Sequence, residues 1–324
     1  MRLLLSVLLV FLSVSCTKKG KHFEPRDIVN VEIETVLKDS LLSLRAIEVL
    51  VDKNLAFAAN NNSFGLYNPM DKSWNISRQV YDSLDFSFRS VSHTKSDFFM
   101  LSISSPTLLF KTSNSGMQLA YIEEHKMAFY DSMDFWNNQE GIAIGDPTEG
   151  CMSIIITRDG GNTWTKLSCD KLPKAIEGEA AFAASDTNIA IVGNHTWVAT
   201  GGNASRVLYS EDKGETWEVY DTPIVQGIGT TGMYSIDFYD ELNGFAIGGD
   251  YTKPEDNSAN KIRTKDGGKT WNIVGANQEP GYRSCVQYIP NGEGEELVVV
   301  GFNGIDYSND GGDTWKHLSD EGFY

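Results

Sequence analysis

Positive charge is scarce in this sequence. Against 44 aspartates and glutamates stand only 27 lysines and arginines, a formal charge of −17. Such a surface repels a phosphate backbone, which excludes nucleic acid as a partner. Histidines number five. His22, His93, His125, His195 and His317 lie scattered without ligand spacing, so no metal centre is expected, and no elbow motif marks a Ser-His-Asp arrangement. Prolines number nine and cysteines four, too few for a proline-rich linker or a disulfide scaffold. Glycine, by contrast, is plentiful at 30 residues, often in Asn-Gly or Asp-Gly pairs between short apolar runs. That grammar belongs to short strands and tight turns, so the class reads as all-β. A chain of 324 residues suits one closed repeat array with a sizeable core.

The first residues form a targeting signal. Arg2 supplies the positive start, Leu3 to Val14 is apolar apart from Ser6 and Ser13, and Ser15-Cys16 follows. The run is too short for a stable transmembrane anchor. Its ending resembles a bacterial lipoprotein signal, which implies that Cys16 is lipidated and becomes the new N-terminus. On that reading residues 1–16 are the signal, 17–30 a flexible tether and 31–324 the repeat domain. The protein is then anchored in the bacterial cell envelope by its lipid alone, facing the periplasm or the exterior. Three cysteines remain in an oxidising compartment. Cys151 and Cys169 flank the turn at Gly160-Gly161, where they form either a disulfide across one hairpin or two buried thiols. Cys285 reads as an inert core thiol.

Internal repeats dominate the remainder. TRDGGNTW ends at Trp164, SEDKGETW at Trp217, TKDGGKTW at Trp271 and SNDGGDTW at Trp315. Worn copies precede them at Tyr67 to Trp74 and, as TSNSGMQL, from Thr112. The resulting six units of roughly 45 to 55 residues each hold enough apolar segments for four antiparallel strands, the size of a propeller blade. The repeated aspartate accepts hydrogen bonds from turn amides, the glycine supplies positive φ, and the tryptophan fills space between sheets. Asp159, Asp212, Asp266 and Asp310 therefore read as turn-holders.

The pattern Ser/Thr-x-Asp-x-Gly-x-Thr-Trp resembles the Asp-box (BNR-type) β-propellers, which include sialidases and photosystem II stability and assembly factors. The stretches FWNNQEGIAIGDP, GEAAFAAS, GFAIGGDY and GYRS are similar to those of the bacterial assembly-factor-like proteins. The resemblance implies seven blades, the last completed by an N-terminal strand, for which Val31 to Leu37 is the candidate. The C-terminal Gly322-Phe323-Tyr324 stands where a seventh blade would begin.

Aligning the first strand of each unit places Arg45, Arg89, Asp131, Glu179, Tyr234 and Arg283 in one polar column, followed by a column of alanine and serine. The start of strand one and the end of strand two share a face of an antiparallel blade, opposite the repeated turn. Asp146, Asn194, Asp250 and Tyr251 at the strand-two ends, with Tyr282, are thus expected at the same axial mouth. Such a mouth is either an anion pocket, in which guanidinium groups clamp a carboxylate or phosphate, or a structural ring of salt bridges. The leading reading is a non-enzymatic binding or assembly module that takes a protein partner or a small anionic ligand, without cofactor, with Arg45, Arg89, Asp131, Asp146, Glu179, Asp250, Tyr251, Tyr282 and Arg283 as site residues. The alternative is a sialidase-type glycoside hydrolase, for which the arginines, Tyr282, Glu179 and Asp131 supply the residue types. A remote third is an oxidoreductase, since Gly227 to Gly232 spells a dinucleotide fingerprint. Met233 to Phe238 after it, however, reads as a strand where the phosphate needs a helix.

Overall fold

The computed structural model describes residues 23–50 and 54–323; the signal and Cys16 lie outside them. Six antiparallel sheets carry the described chain. Blade 1 runs through Leu44–Val49, Leu55–Ala59, Ser63–Asn68 and Ser73–Arg78, and blade 2 through Phe88–His93, Phe98–Ser102, Thr107–Ser113 and Gly116–Glu123. Blade 3 comprises Tyr130–Phe135, Gly141–Gly145, Ser153–Thr157 and Thr165–Lys166; blade 4 comprises Ile189–Val192, His195–Ala199, Arg206–Ser210 and Glu218–Asp221. Thr231–Phe238, Gly244–Asp250, Lys261–Thr264 and Asn272–Ile273 build blade 5, and Cys285–Tyr288, Leu297–Gly301, Gly304–Ser308 and Lys316–Ser319 build blade 6. In every blade the first strand is innermost, and these inner strands pack on one another in succession from blade 1 to blade 6.

The inner strands alternate small and apolar residues because each must approach its neighbours near an axis. Ser90, Ser132 and Ser235 are fully buried there, interleaved with Val91, Met133 and Ile236. The cores lie between blades. Trp197, Phe238 and Trp271 join blades 4 and 5, and Phe99, Phe135 and Trp164 join blades 2 and 3.

The four repeated turns share one set of bonds. In the first, Asp159 accepts from the Thr163 amide at 2.9 Å and its hydroxyl at 2.7 Å, and Thr157 Oγ1 accepts from the Gly161 amide at 2.9 Å. Asp212, Asp266 and Asp310 repeat the arrangement. Gly161 has φ +76°, and a Cβ there would stand 2.2 Å from the Phe99 ring, so glycine is required both for conformation and for space. These aspartates are turn-holders, as the pattern predicts.

Three expectations need correction. No strand forms over Val31 to Leu37, and no seventh blade occurs among the described residues. The N-terminal segment instead links blade 6 to blade 1. Arg26 Nε donates to Glu296 at 2.6 Å and the Arg26 carbonyl accepts from Tyr307 at 2.7 Å, while the Val36 carbonyl accepts from Trp74 Nε1 at 2.8 Å. The register of unit four also differs: its inner strand is Ile189–Val192, whereas Glu179–Ala180 is a two-residue strand beside Gly201–Gly202 that extends blade 5. Asn194 accordingly lies on the turn side, where its carbonyl accepts from the Lys213 amide. Of the two readings for Cys151 and Cys169, the disulfide is present, with Cα atoms 5.5 Å apart.

Candidate functional site: an axial mouth above a plug

The inner strands bulge at one position. Pairing shifts by a residue between Leu44 and Ala46, between Phe88 and Ser90, opposite Ile144/Gly145, and between Met233 and Ser235. The extra residues are Arg45, Arg89, Asp131 and Tyr234. A bulge re-aims the side chain it carries, so the polar column is a column of bulges. In blade 6 Ser284 takes this place, since Cys285 pairs with Val300 and the Ser284 amide donates to the Val300 carbonyl.

Below the mouth the axis is blocked. Residues 181–187, on the way from Glu179–Ala180 to the first strand of blade 4, reach four other blades. The Ala181 amide donates to Asp146 at 2.9 Å, Asp186 accepts from the Val91 amide at 2.8 Å, Thr187 donates to Ser235 at 2.7 Å and Ser185 to the Ser284 carbonyl at 2.6 Å. Asp186 holds φ +60°, a left-handed conformation that aspartate tolerates better than most residues. The plug leaves a cavity of about 630 Å³ above it, lined by Arg45, Arg89, Asp146, Tyr251 and Tyr282 together with Phe182, Tyr234 and Phe302.

Its aromatic wall is continuous. Phe182 stacks on Tyr234 at 4.2 Å, Tyr234 meets Tyr282 edge-on at 4.9 Å and Tyr282 stacks on Phe302 at 5.3 Å. Tyr251, half exposed, completes the rim. Two arginines, Arg45 and Arg89, also line the cavity. Burial and the charge of Arg45 together hold the Arg89 guanidinium below its ordinary value, Arg89 Nε has no hydrogen-bond partner, and Arg89 forms no ion pair among the described residues. Asp146, half-buried beside the plug, is pushed up to about 6 by desolvation. Asp131 lies deeper, fully buried, with neither carboxyl oxygen hydrogen bonded. Burial first, then the neighbouring Asp146, raise it well above the usual carboxylate range.

The other predicted residues do structural work. Arg283, 4 % exposed, turns into its own blade, where Nε donates to Asp306 at 2.8 Å, Nη1 to the Tyr282 carbonyl and Nη2 to the Asn303 carbonyl. It is a register step away from the bulge and does not line the mouth. Glu179 is spent on Arg206, at 2.6 Å, and on the Thr200 hydroxyl. Asp250 closes a turn by accepting from the Thr252 amide and hydroxyl; those bonds hold it low against the opposing effect of burial. Phe182 and Phe302 were missed. Phe302 was findable, because it follows strand two of blade 6 as Asp146 follows strand two of blade 3; Phe182 was hidden by the misplaced strand.

With Arg283 and Glu179 withdrawn, the arginine triad and tyrosine-glutamate pair that a sialidase mechanism needs are not assembled. Gly227 to Gly232 leads into the strand Thr231–Phe238, with no helix to receive a pyrophosphate. Among the described residues no group of three or more His, Cys, Asp or Glu side chains is placed to hold a metal ion.

Fold and site thus define a six-bladed propeller with a plugged axis and an arginine-and-aromatic mouth. No protein-family model matches the chain, and no curated protein matches it. Solved structures do. YCF48 bound to a D1 peptide is similar with TM-score 0.61 at 14 % identity, over 86 % of this chain and 82 % of that one. U3-55K is similar with TM-score 0.60 at 12 % identity, over 89 % and 84 %, and the WD40 repeats of RRP9 with 0.59 at 12 %, over 89 % and 83 %. At such identities the likeness establishes the propeller fold.

Proposed function

We propose that this propeller is a non-enzymatic binding module of the Asp-box type, resembling assembly factors, which captures an anionic group of a protein partner at its axial mouth. One observation carries the reading: Arg45 and Arg89, from adjacent blades, enter one cavity side by side although their charges repel. Like charges held together are a stability cost that a carboxylate in their midst relieves. The tyrosine and phenylalanine wall offers apolar surface to the residue bearing that carboxylate. That YCF48 was solved with a peptide bound supports a protein partner for this architecture. Lipidation of Cys16 and an envelope location complete the proposal.

The test is peptide-display selection on wild-type protein, followed by affinity measurement with the doubly substituted R45A/R89A protein. Selected peptides are expected to carry a carboxylate beside an aromatic or aliphatic residue, to weaken with salt, and to lose at least about tenfold on double substitution. Peptides that bind both proteins equally would sink the assignment. Metabolic labelling with a fatty acid, lost in C16S, tests the anchor.

A further inference from the structure

A second site lies between blades 1 and 2 on the face of the repeated turns, away from the axial mouth. Between blades 2 and 3 the wedge is filled by three aromatic rings, Phe99, Phe135 and Trp164, with centroids 4.5 Å apart for the first pair and 5.8 Å for the second. Between blades 4 and 5 the same positions hold Trp197, Phe238 and Trp271, at 3.6 and 6.0 Å. The register identifies their counterparts between blades 1 and 2. Phe99 lies opposite Ser92 and Ala56 opposite Glu48, so Ala56 replaces the phenylalanine; two residues beyond Val91, as Phe135 is beyond Met133, stands His93.

The tryptophan is missing too. The worn turn from Thr112 closes early, with Ser113 paired to Gly116, which puts Met117 opposite Thr112. Trp164 faces Thr157 in the same way, one step beyond the pairing of Ile156 with Thr165. Three large rings are therefore replaced by alanine, histidine and methionine, and the wedge is refilled only in part, by Phe98 opposite His93 where Gly141 and Gly244 stand opposite Phe135 and Phe238. The space left is a cavity of about 410 Å³, lined on its apolar side by Ala56, Phe64, Phe98 and Met117 and on its polar side by His93, Lys95 and Asp97 among others. His93 is fixed at its rim by Glu48, 2.6 Å from Nδ1.

We infer that this wedge is a binding pocket for a neutral planar aromatic molecule of the indole class, which takes the place that a tryptophan of the chain itself occupies in the neighbouring wedges. Close-packed interiors fill such space when they can, and a void lined by apolar and aromatic groups accepts a ligand of matching shape. The site shares no residue with the axial mouth, so either assignment can fail alone.

The probe is 5-fluoroindole titrated into full-length protein and followed by ¹⁹F NMR. Wild-type protein is expected to bind with a dissociation constant on the order of 0.1 to 1 mM, as suits so small a ligand. M117W, which restores the missing ring, is expected to weaken binding by at least about tenfold while keeping or raising Tm. A56F blocks the pocket from the opposite wall and decides the matter if M117W does not fold; R45A/R89A should bind the probe as wild type does. Cyclohexanemethanol is expected to bind several-fold more weakly. Absence of binding to wild type, unaltered binding in a folded blocking variant, or equal affinity for the saturated alcohol would each overturn the inference.

Discussion

Arg283 and Arg89 stand one register step apart in role. Arg283 meets Asp306 and two backbone carbonyls inside its blade, whereas Arg89 occupies a bulge facing Arg45 and a cavity. Breaking a buried pair leaves a charge uncompensated, so R283A should cost about 3 kcal/mol and lower Tm clearly. R89A should leave Tm unchanged or slightly raised, because it removes a repulsion; a loss as large as that of R283A, read by thermal denaturation, would mean that Arg89 seals the mouth. Three half-buried carboxyls give a second prediction. Burial raises Asp134 to about 7 and Asp237 and Asp146 to about 6, above the value near 4 of an unfolded chain. The folded state therefore holds more protons than the unfolded state between about pH 4 and 7, and stability falls as pH rises through that window. The turn aspartates, held low by their hydrogen bonds, are lost only in stronger acid and do not oppose this slope. Tm should be higher at pH 5 than at pH 8, and D134N should recover on the order of 1 to 3 kcal/mol at pH 8. An unchanged pH profile in D134N would refute the assignment.

At the scale of elements, the strands and turns were legible and the exceptions have physical causes. The aligned column of alanine and serine located the inner strands of blades 1, 2, 3 and 5, and the Ser/Thr-x-Asp-x-Gly turns located four hairpins. In unit four the alanine-rich Gly178 to Ser185 has the composition of an inner strand, yet from Ala181 on it enters the plug because Ile189–Val192 pairs with His195–Ala199 through a tight turn instead. Composition cannot choose between two apolar runs that compete for one place; hydrogen-bond partners decide. The mouth was half legible for the same reason. Arg45, Arg89 and Tyr234 were aligned in true register, but Arg283 was placed one residue off, and a single step carried its side chain into the blade. The disulfide closes an 18-residue separation around blade 3's outer hairpin and should contribute about 3 kcal/mol by restricting the unfolded chain. Thermal denaturation of C151S/C169S against wild type, without reductant, measures it; equal Tm values would show that packing in this hairpin suffices alone.

The whole molecule poses the question of closure. Each interior wedge lies between two sheets, but among the described residues blade 1 shows a face that no preceding sheet covers: Ile47 is 58 % and Val49 64 % exposed. What crosses from blade 6 is the N-terminal segment, tied at one end by Arg26 to the fully buried Glu296 carboxylate and at the other by Val36 to Trp74. Trp74 in turn covers Phe57 at 5.1 Å. An open array of repeats frays from its ends, because terminal units have only one neighbour, so a segment that contacts both terminal blades couples their unfolding. Removing the Arg26 side chain strands the Glu296 carboxylate and releases the tie. R26A should therefore lower Tm and raise amide exchange selectively in blades 1 and 6, while blades 3 and 4 keep their protection. Hydrogen exchange with mass spectrometry reads this directly. Uniform loss of protection in all six blades would mean that the ring unfolds as one unit, and no change in blade 1 would mean that Arg26 anchors only the segment and not the ring.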